Sequence, residues 1–155
     1  MRIRSARRED GAEAIQVLRA SITKLCVDDH HNQADRLTPW LANQTVETFQ
    51  LWLDAPARIL LVAEQDQSIL GVGMASIDGE IMLNYVTPNG RLEGVSSKML
   101  AALEQELREQ GLTELYLEST QTAHRFYQAR GWEDAGAPIS DAGMISYPMR
   151  KIVGP

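Results

Sequence analysis

The chain has 155 residues, enough for one domain spanning 1–155 whose apolar core needs neither disulfides nor a structural metal. Hydrophobic residues make up 44% and charged residues 23%, which argues against a disordered chain, and no run approaches the roughly 18 apolar residues of a membrane span. A formal net charge of −6 argues against a broad nucleic-acid-binding face, and the single cysteine, Cys26, excludes an internal disulfide and suits a reducing cytoplasm.

The N-terminus carries charge with no apolar run behind it, so no secretory signal is expected. Residues 2–6 suit a short first strand. Asp10, with Glu13 three residues on, has the pattern of a capping box opening a helix, and Ile15, Leu18, Ile22 and Leu25 form that helix's apolar stripe. Residues 27–33 form a polar break holding Asp28, Asp29, His30 and His31. No spaced His or Cys completes a ligand set with them, so no metal is expected. Thr45 then serves as N-cap for a second helix with Val46, Phe49, Trp52 and Leu53 on one side, and Asp54-Ala55-Pro56 ends it.

The pattern changes at residue 58. Residues 58–64, 69–77 and 80–86 read as three antiparallel strands, joined by a turn at Asp66-Gln67-Ser68 and a hairpin at Asp78-Gly79. Gly71 and Gly73 inside the second of these predict a neighbour packed close against it. Residues 87–94 are loop by composition. A long helix follows, with Val95, Met99, Leu100, Leu103 and Leu107 on one side and Gly111 as its stop. Residues 112–118 form a further strand. Ser119 or Thr120 caps a short helix that runs to Arg130 and ends at Gly131. Residues 144–150 form the last strand, in which Pro148 points to an edge or a bulge, leaving that strand open to pair across a homodimer. This order gives an α/β chain with a mixed, largely antiparallel central sheet flanked by helices.

The stretch from Val86 to Ser97 joins a strand to the long helix. The first turn of a helix carries N–H groups without partners and the positive end of its dipole. Gly94 lets main chain approach a ligand, Arg91 brings a forked cation, and Ser96 and Ser97 add small hydroxyls. The combination suits a pyrophosphate, although a glycine and two serines also make an ordinary helix start. Neither a P-loop nor a dinucleotide fingerprint is present.

Three segments together resemble the GNAT N-acetyltransferase superfamily. Arg91-Leu92-Glu93-Gly94-Val95-Ser96 is similar to its Gln/Arg-x-x-Gly-x-Gly/Ala loop. Val86-Thr87-Pro88 stands where the family has Val-x-Pro at the end of its fourth strand. Phe126-Tyr127-Gln128-Ala129-Arg130-Gly131-Trp132 resembles its Phe-Tyr-x-x-x-Gly-Phe segment. The chain departs at Ser96, and at Thr120, where the family often carries asparagine. The resemblance implies a GNAT-like fold with its fourth and fifth strands splayed, and acetyl-coenzyme A as cosubstrate. The main chain of Leu92, Glu93, Gly94, Val95 and Ser96 would hold the pyrophosphate, and that of Tyr85 and Val86 the pantetheine arm. Ser97 and Thr120 would add further contacts.

Acetyl transfer to an amine needs a base for the amine, a polarised carbonyl and an acid for the leaving thiolate. Tyr127 is the family-implied acid. A backbone N–H near Val86 would polarise the carbonyl, and Asn84 would orient a substrate or a water. The base stays open between His30 or His31, whose imidazoles suit the task, and a water chain to a carboxylate. Glu80, on the same strand face as Asn84 by two-residue alternation, reads as a surface carboxylate. The alternative function is a non-catalytic acyl-coenzyme A-binding or sensing domain. Trp40 and Trp52 read as cover for the core or as walls of an acceptor pocket.

Overall fold

The computed structural model describes residues 1–90 and 94–154. Arg91, Leu92 and Glu93, expected to hold the pyrophosphate, lie outside the described residues. The chain runs β1 (Arg2–Ser5), α1 (Gly11–Leu25), α2 (Val27–His30), α3 (Ala34–Ala42) and α4 (Val46–Asp54). It continues with β2 (Arg58–Gln65), β3 (Ser68–Ser76), β4 (Ile81–Val86), α5 (Val95–Glu109), β5 (Glu114–Thr120) and α6 (His124–Gln128). Two short strands, β6 (Glu133–Asp134) and β7 (Ile139–Asp141), precede β8 (Met144–Ile152).

One antiparallel sheet has the order β1-β2-β3-β4, and a second has the order β5-β8-β6 with β7 also on β8. The first sheet is covered on both faces, which is why residues 58–63 read as a nearly continuous apolar run. Leu60 and Val62 face α1 and α4, where Ile15, Leu18 and Phe49 close one core. Leu61 and Ala63 face α5, where Met99, Leu103 and Leu107 close the other. The glycines of β3 let α5 sit directly on the sheet: a Cβ on Gly73 would lie 2.5 Å from Met99 Sδ, and one on Gly71 3.0 Å from Val95 Cγ1. This contact brings the N-terminus of α5 to the end of β4.

Several sequence expectations hold in detail. Thr45 Oγ1 accepts the Thr48 N–H at 3.2 Å and caps α4. The 66–67 turn puts Asp66 and Gln67 at positive φ, as a two-residue hairpin demands.

Others need correction. The capping box at Asp10 is not formed. Its carboxylate instead takes two bonds from Arg4, each 2.9 Å, and the Arg7 N–H at 2.7 Å, while Glu13 accepts the Ile69 N–H. The polar break at 27–33 contains a helical turn that buries Asp29 and His30 rather than a solvated loop, and α3 follows it. Pro148 does not mark an edge, because β8 has β5 along one side and β6 and β7 along the other. The Pro148 carbonyl accepts the Ala135 N–H, so its ring nitrogen faces the point where β6 ends and cannot return that bond. A homodimer paired through β8 would therefore have to displace those two strands.

The Arg4–Asp10 pair ties β1 to the start of α1, with side chains 10% and 8% exposed. The Arg4 guanidinium holds the Asp10 carboxyl below its ordinary value near 3.8, more than burial raises it. A depressed carboxyl contributes stability above its unfolded pKa and loses it as the pH falls through its folded pKa. At pH 7 Asp10→Asn is expected to melt below wild type, and the gap should narrow below about pH 4. A gap independent of pH in thermal melts would remove the charge from this account.

Candidate active site

β4 and β5 touch at one end only. The Tyr116 N–H reaches the Gly79 carbonyl at 3.1 Å, and Glu80 and Tyr116 form a single parallel bridge. Beyond that bridge the strands diverge and a cleft of about 790 Å³ opens between them, roofed by the end of α1 and walled by α5 and α6. Its size is that of a small-molecule site.

A β-bulge shapes the wall that β4 presents. Met74 pairs with Leu83 but Ala75 with Ile81, so Met82 is the extra residue. Ile81 consequently packs into the same core as Val86, while Leu83 and Tyr85 pack against the other. The extra residue shifts the two-residue count by one, so Glu80 does not share a face with Asn84, and among the described residues it does not line the cleft.

The ladder also divides the main-chain groups of β4. Thr87 donates to the Leu70 carbonyl at 2.8 Å, and the register pairs Tyr85 with Val72. By antiparallel alternation the main chain of Tyr85 is committed to β3, and that of Asn84 and Val86 turns toward the cleft. This corrects the expectation for Tyr85, whose main chain is already used. Its phenol lies beside Trp40, its residue lines the cleft, and burial raises its pKa.

Gly94, at φ +76°, precedes the first turn of α5, and a Cβ built on it would meet nothing within 4 Å among the described residues. Ser96 and Ser97 line the cleft beside it, and Val95 is buried beneath. The Asn84 amide donates to the Ser96 carbonyl at 3.3 Å, while Asn84 Oδ1 is buried without a partner among the described residues.

On the opposite wall Thr120 Oγ1 accepts the Ala123 N–H at 3.1 Å and opens the turn into α6. Tyr127 follows, 7% exposed, with its ring edge-on to Phe126 and Trp132. Burial pushes its phenol up to about 12, and the neighbouring Asn84 amide works weakly in the other direction. The structure thus brings Asn84, Val86, Gly94, Ser96, Ser97, Thr120 and Tyr127 to one cleft.

His30 does not belong to this set. It is fully buried, with Nε2 2.9 Å from the Ile22 carbonyl and Nδ1 accepting the Asn32 N–H at 2.9 Å. Both ring nitrogens are engaged by main chain, which fixes the neutral tautomer protonated at Nε2 and leaves no nitrogen to accept a proton. His30 is a brace, and the adjacent Asp29 shows what it braces. That carboxylate, 4% exposed, accepts the Gln121 N–H at 2.7 Å, the Thr122 N–H at 3.2 Å and the Thr122 hydroxyl, and so ties α2 to the turn that starts α6.

Sequence reasoning missed Lys24 and Arg130 as neighbours of the cleft. Lys24, in the last turn of α1, and Asp28, in α2, both line it. Arg130 lay in plain view within the Phe126–Trp132 segment. Cys26 also lines the cleft, but burial pushes its thiol up to about 12, so it is not a nucleophile at neutral pH. Among the described residues no helix is long and apolar enough to cross a membrane.

The family model described as an acetyltransferase (GNAT) domain matches residues 22–153. No curated protein matches the chain in sequence. Among solved structures, a GCN5-related N-acetyltransferase from Rhodopseudomonas palustris is 22% identical, over 97% of this chain and 94% of that one, with a TM-score of 0.86. The PaiA N-acetyltransferase from Thermoplasma acidophilum, solved with coenzyme A, is 18% identical over 97% and 98%, with a TM-score of 0.83. An aminoglycoside 6'-acetyltransferase type Ii is 18% identical over 100% and 99%, with a TM-score of 0.77. At these identities the structural likeness is one of fold.

Proposed function

The chain belongs to the GNAT acetyltransferase family, and on that premise we propose that it moves the acetyl group of acetyl-coenzyme A directly to an amine of a small molecule or protein. The observation that carries the reading is the cleft between the diverging β4 and β5, with the first turn of α5 at one end and a buried phenol in its wall. The residues present fit the coenzyme. Gly94 leaves its approach open, the α5 terminus offers unpartnered N–H groups and positive potential, and Asn84 and Val86 turn main chain toward the gap.

Bound acetyl-coenzyme A supplies the activated thioester, whose carbon–sulfur bond is exchanged for a carbon–nitrogen bond. Around it, the Val86 main chain is available to hydrogen-bond an extended arm or to polarise a carbonyl. Tyr127, neutral throughout the physiological range, holds a proton it can donate to a departing thiolate. The amine's proton has no histidine to go to at position 30, so its transfer is assigned to water in the cleft, which the carboxylate residues Asp28 and Glu118 line. A buried lone thiol agrees with a cytoplasmic setting.

Acetyl-coenzyme A at a hundredfold excess over its Kd is expected to stabilise the fold by about 2.7 kcal/mol. For a chain of this length that raises Tm by roughly 5–10 °C. No shift at millimolar ligand would remove the cosubstrate from the cleft. A shift without turnover across a panel of primary amines would leave an acyl-coenzyme A-binding domain.

A further inference from the structure

We propose that Arg130 binds a phosphate group of the coenzyme A moiety together with the first turn of α5, an inference that rests on the acetyl-coenzyme A reading above. The guanidinium is held from three directions. Its carbon sits 3.8 Å from the Phe126 ring centroid, its Nε donates to Ser97 Oγ at 2.9 Å, and its Nη1 donates to the Phe126 carbonyl at 2.9 Å. A guanidinium has five N–H donors. Two are used here, and among the described residues no carboxylate lies within salt-bridge distance of the other three.

The cation therefore stands fixed, and without a counter-charge among the described residues, in the wall of the same cleft that Gly94 and Ser97 line. Beside it lies the positive end of a 15-residue helix. Two like potentials placed side by side with spare donors are a cost to the empty protein and a gain once an anion arrives. Ser97 connects them: its oxygen accepts from Arg130, so its own hydroxyl proton is left to donate into the cleft. A purely structural arginine fastening α6 to α5 needs only the bonds already made. The donors left over, aimed from the wall of the cleft beside the first turn of α5, distinguish a phosphate ligand from a fastener.

Coenzyme A carries a diphosphate and a 3′-phosphate, and the chemistry that Arg130 recognises is common to both. The test is calorimetric titration of wild type, Arg130→Gln and Arg130→Met with acetyl-coenzyme A and with its 3′-dephospho analogue. Gln retains a donor for Ser97, and Met retains the stem on Phe126, so each keeps a different part of the packing. Both variants are expected to bind acetyl-coenzyme A about 10- to 100-fold more weakly, the range of a lost charge-assisted pair. An equal loss with the analogue assigns the diphosphate, and a loss confined to acetyl-coenzyme A assigns the 3′-phosphate. The inference is overturned if both folded variants bind like wild type, or if kcat falls while affinity stays. Wild type that binds neither ligand would sink the acyl-transfer reading itself, a result distinct from either.

Discussion

Tyr127→Phe is expected to lower kcat by about two to four orders of magnitude, the range of a lost general acid, while leaving the acetyl-coenzyme A-dependent rise in Tm in place. The two readouts separate because the ring and the hydroxyl do different work. The ring is packed edge-on at 5.2 Å to Phe126 and 6.0 Å to Trp132, and phenylalanine preserves both contacts. Only the phenol's proton is removed. With that proton held to about pH 12, wild-type kcat should show no alkaline limb from Tyr127 across the neutral and mildly alkaline range. An acid with an ordinary phenol pKa near 10 would begin to lose activity one to two units sooner. Unchanged kcat in the variant would take Tyr127 out of the chemistry and leave a domain that binds its ligand without using it. A joint loss of turnover and ligand-induced stabilisation would make the residue structural.

Residues near the cleft differ in how far the sequence discloses them. The β2–β4 meander was legible because each strand is bounded by residues with a conformational reason to turn, and because burial on both faces writes an uninterrupted apolar run. The glycines of β3 were legible as a demand for close packing, and Met99 and Val95 of α5 meet that demand. The Met82 bulge was not, since a period of two holds no mark of where one extra residue enters. Its consequence is large, because it decides that Asn84 and not Glu80 faces the cleft. α3 went unseen because it buries none of its residues and carries Pro39 within it, so neither an apolar stripe nor a propensity announces it.

The misreading of 28–31 has a different origin. Four polar residues in a row look solvated when their partners lie far away in sequence. Asp29 binds residues 92 and 93 positions further on, and no local pattern records such a pairing. Arg130 illustrates the converse. It belongs to the family-like segment Phe126–Trp132, yet its value lies in how Phe126 and Ser97 hold it in the wall of the cleft, and only three dimensions show that.

Asp29→Ala is expected to cost about 2–4 kcal/mol, several hydrogen bonds to a charged acceptor reduced by their non-additivity, and hence to lower Tm by roughly 5–15 °C. Asp29→Asn, which keeps one acceptor oxygen, should fall between. The carboxylate is buried and holds two main-chain N–H groups and a hydroxyl, all at the turn that aims α6. His30 in turn fixes Asp29's helix through the Ile22 carbonyl, so the end of α1, α2 and the Tyr127 helix form one braced unit beside the cleft. Loosening that turn lets Tyr127 wander from the position where its proton is useful. In folded Asp29→Asn, kcat should therefore fall by more than the binding of acetyl-coenzyme A weakens, since the α5 end of the cleft is untouched. Melts of Asp29→Ala within a degree of wild type would show that solvent satisfies the turn as well as the carboxylate does, and the brace would lose its physical basis.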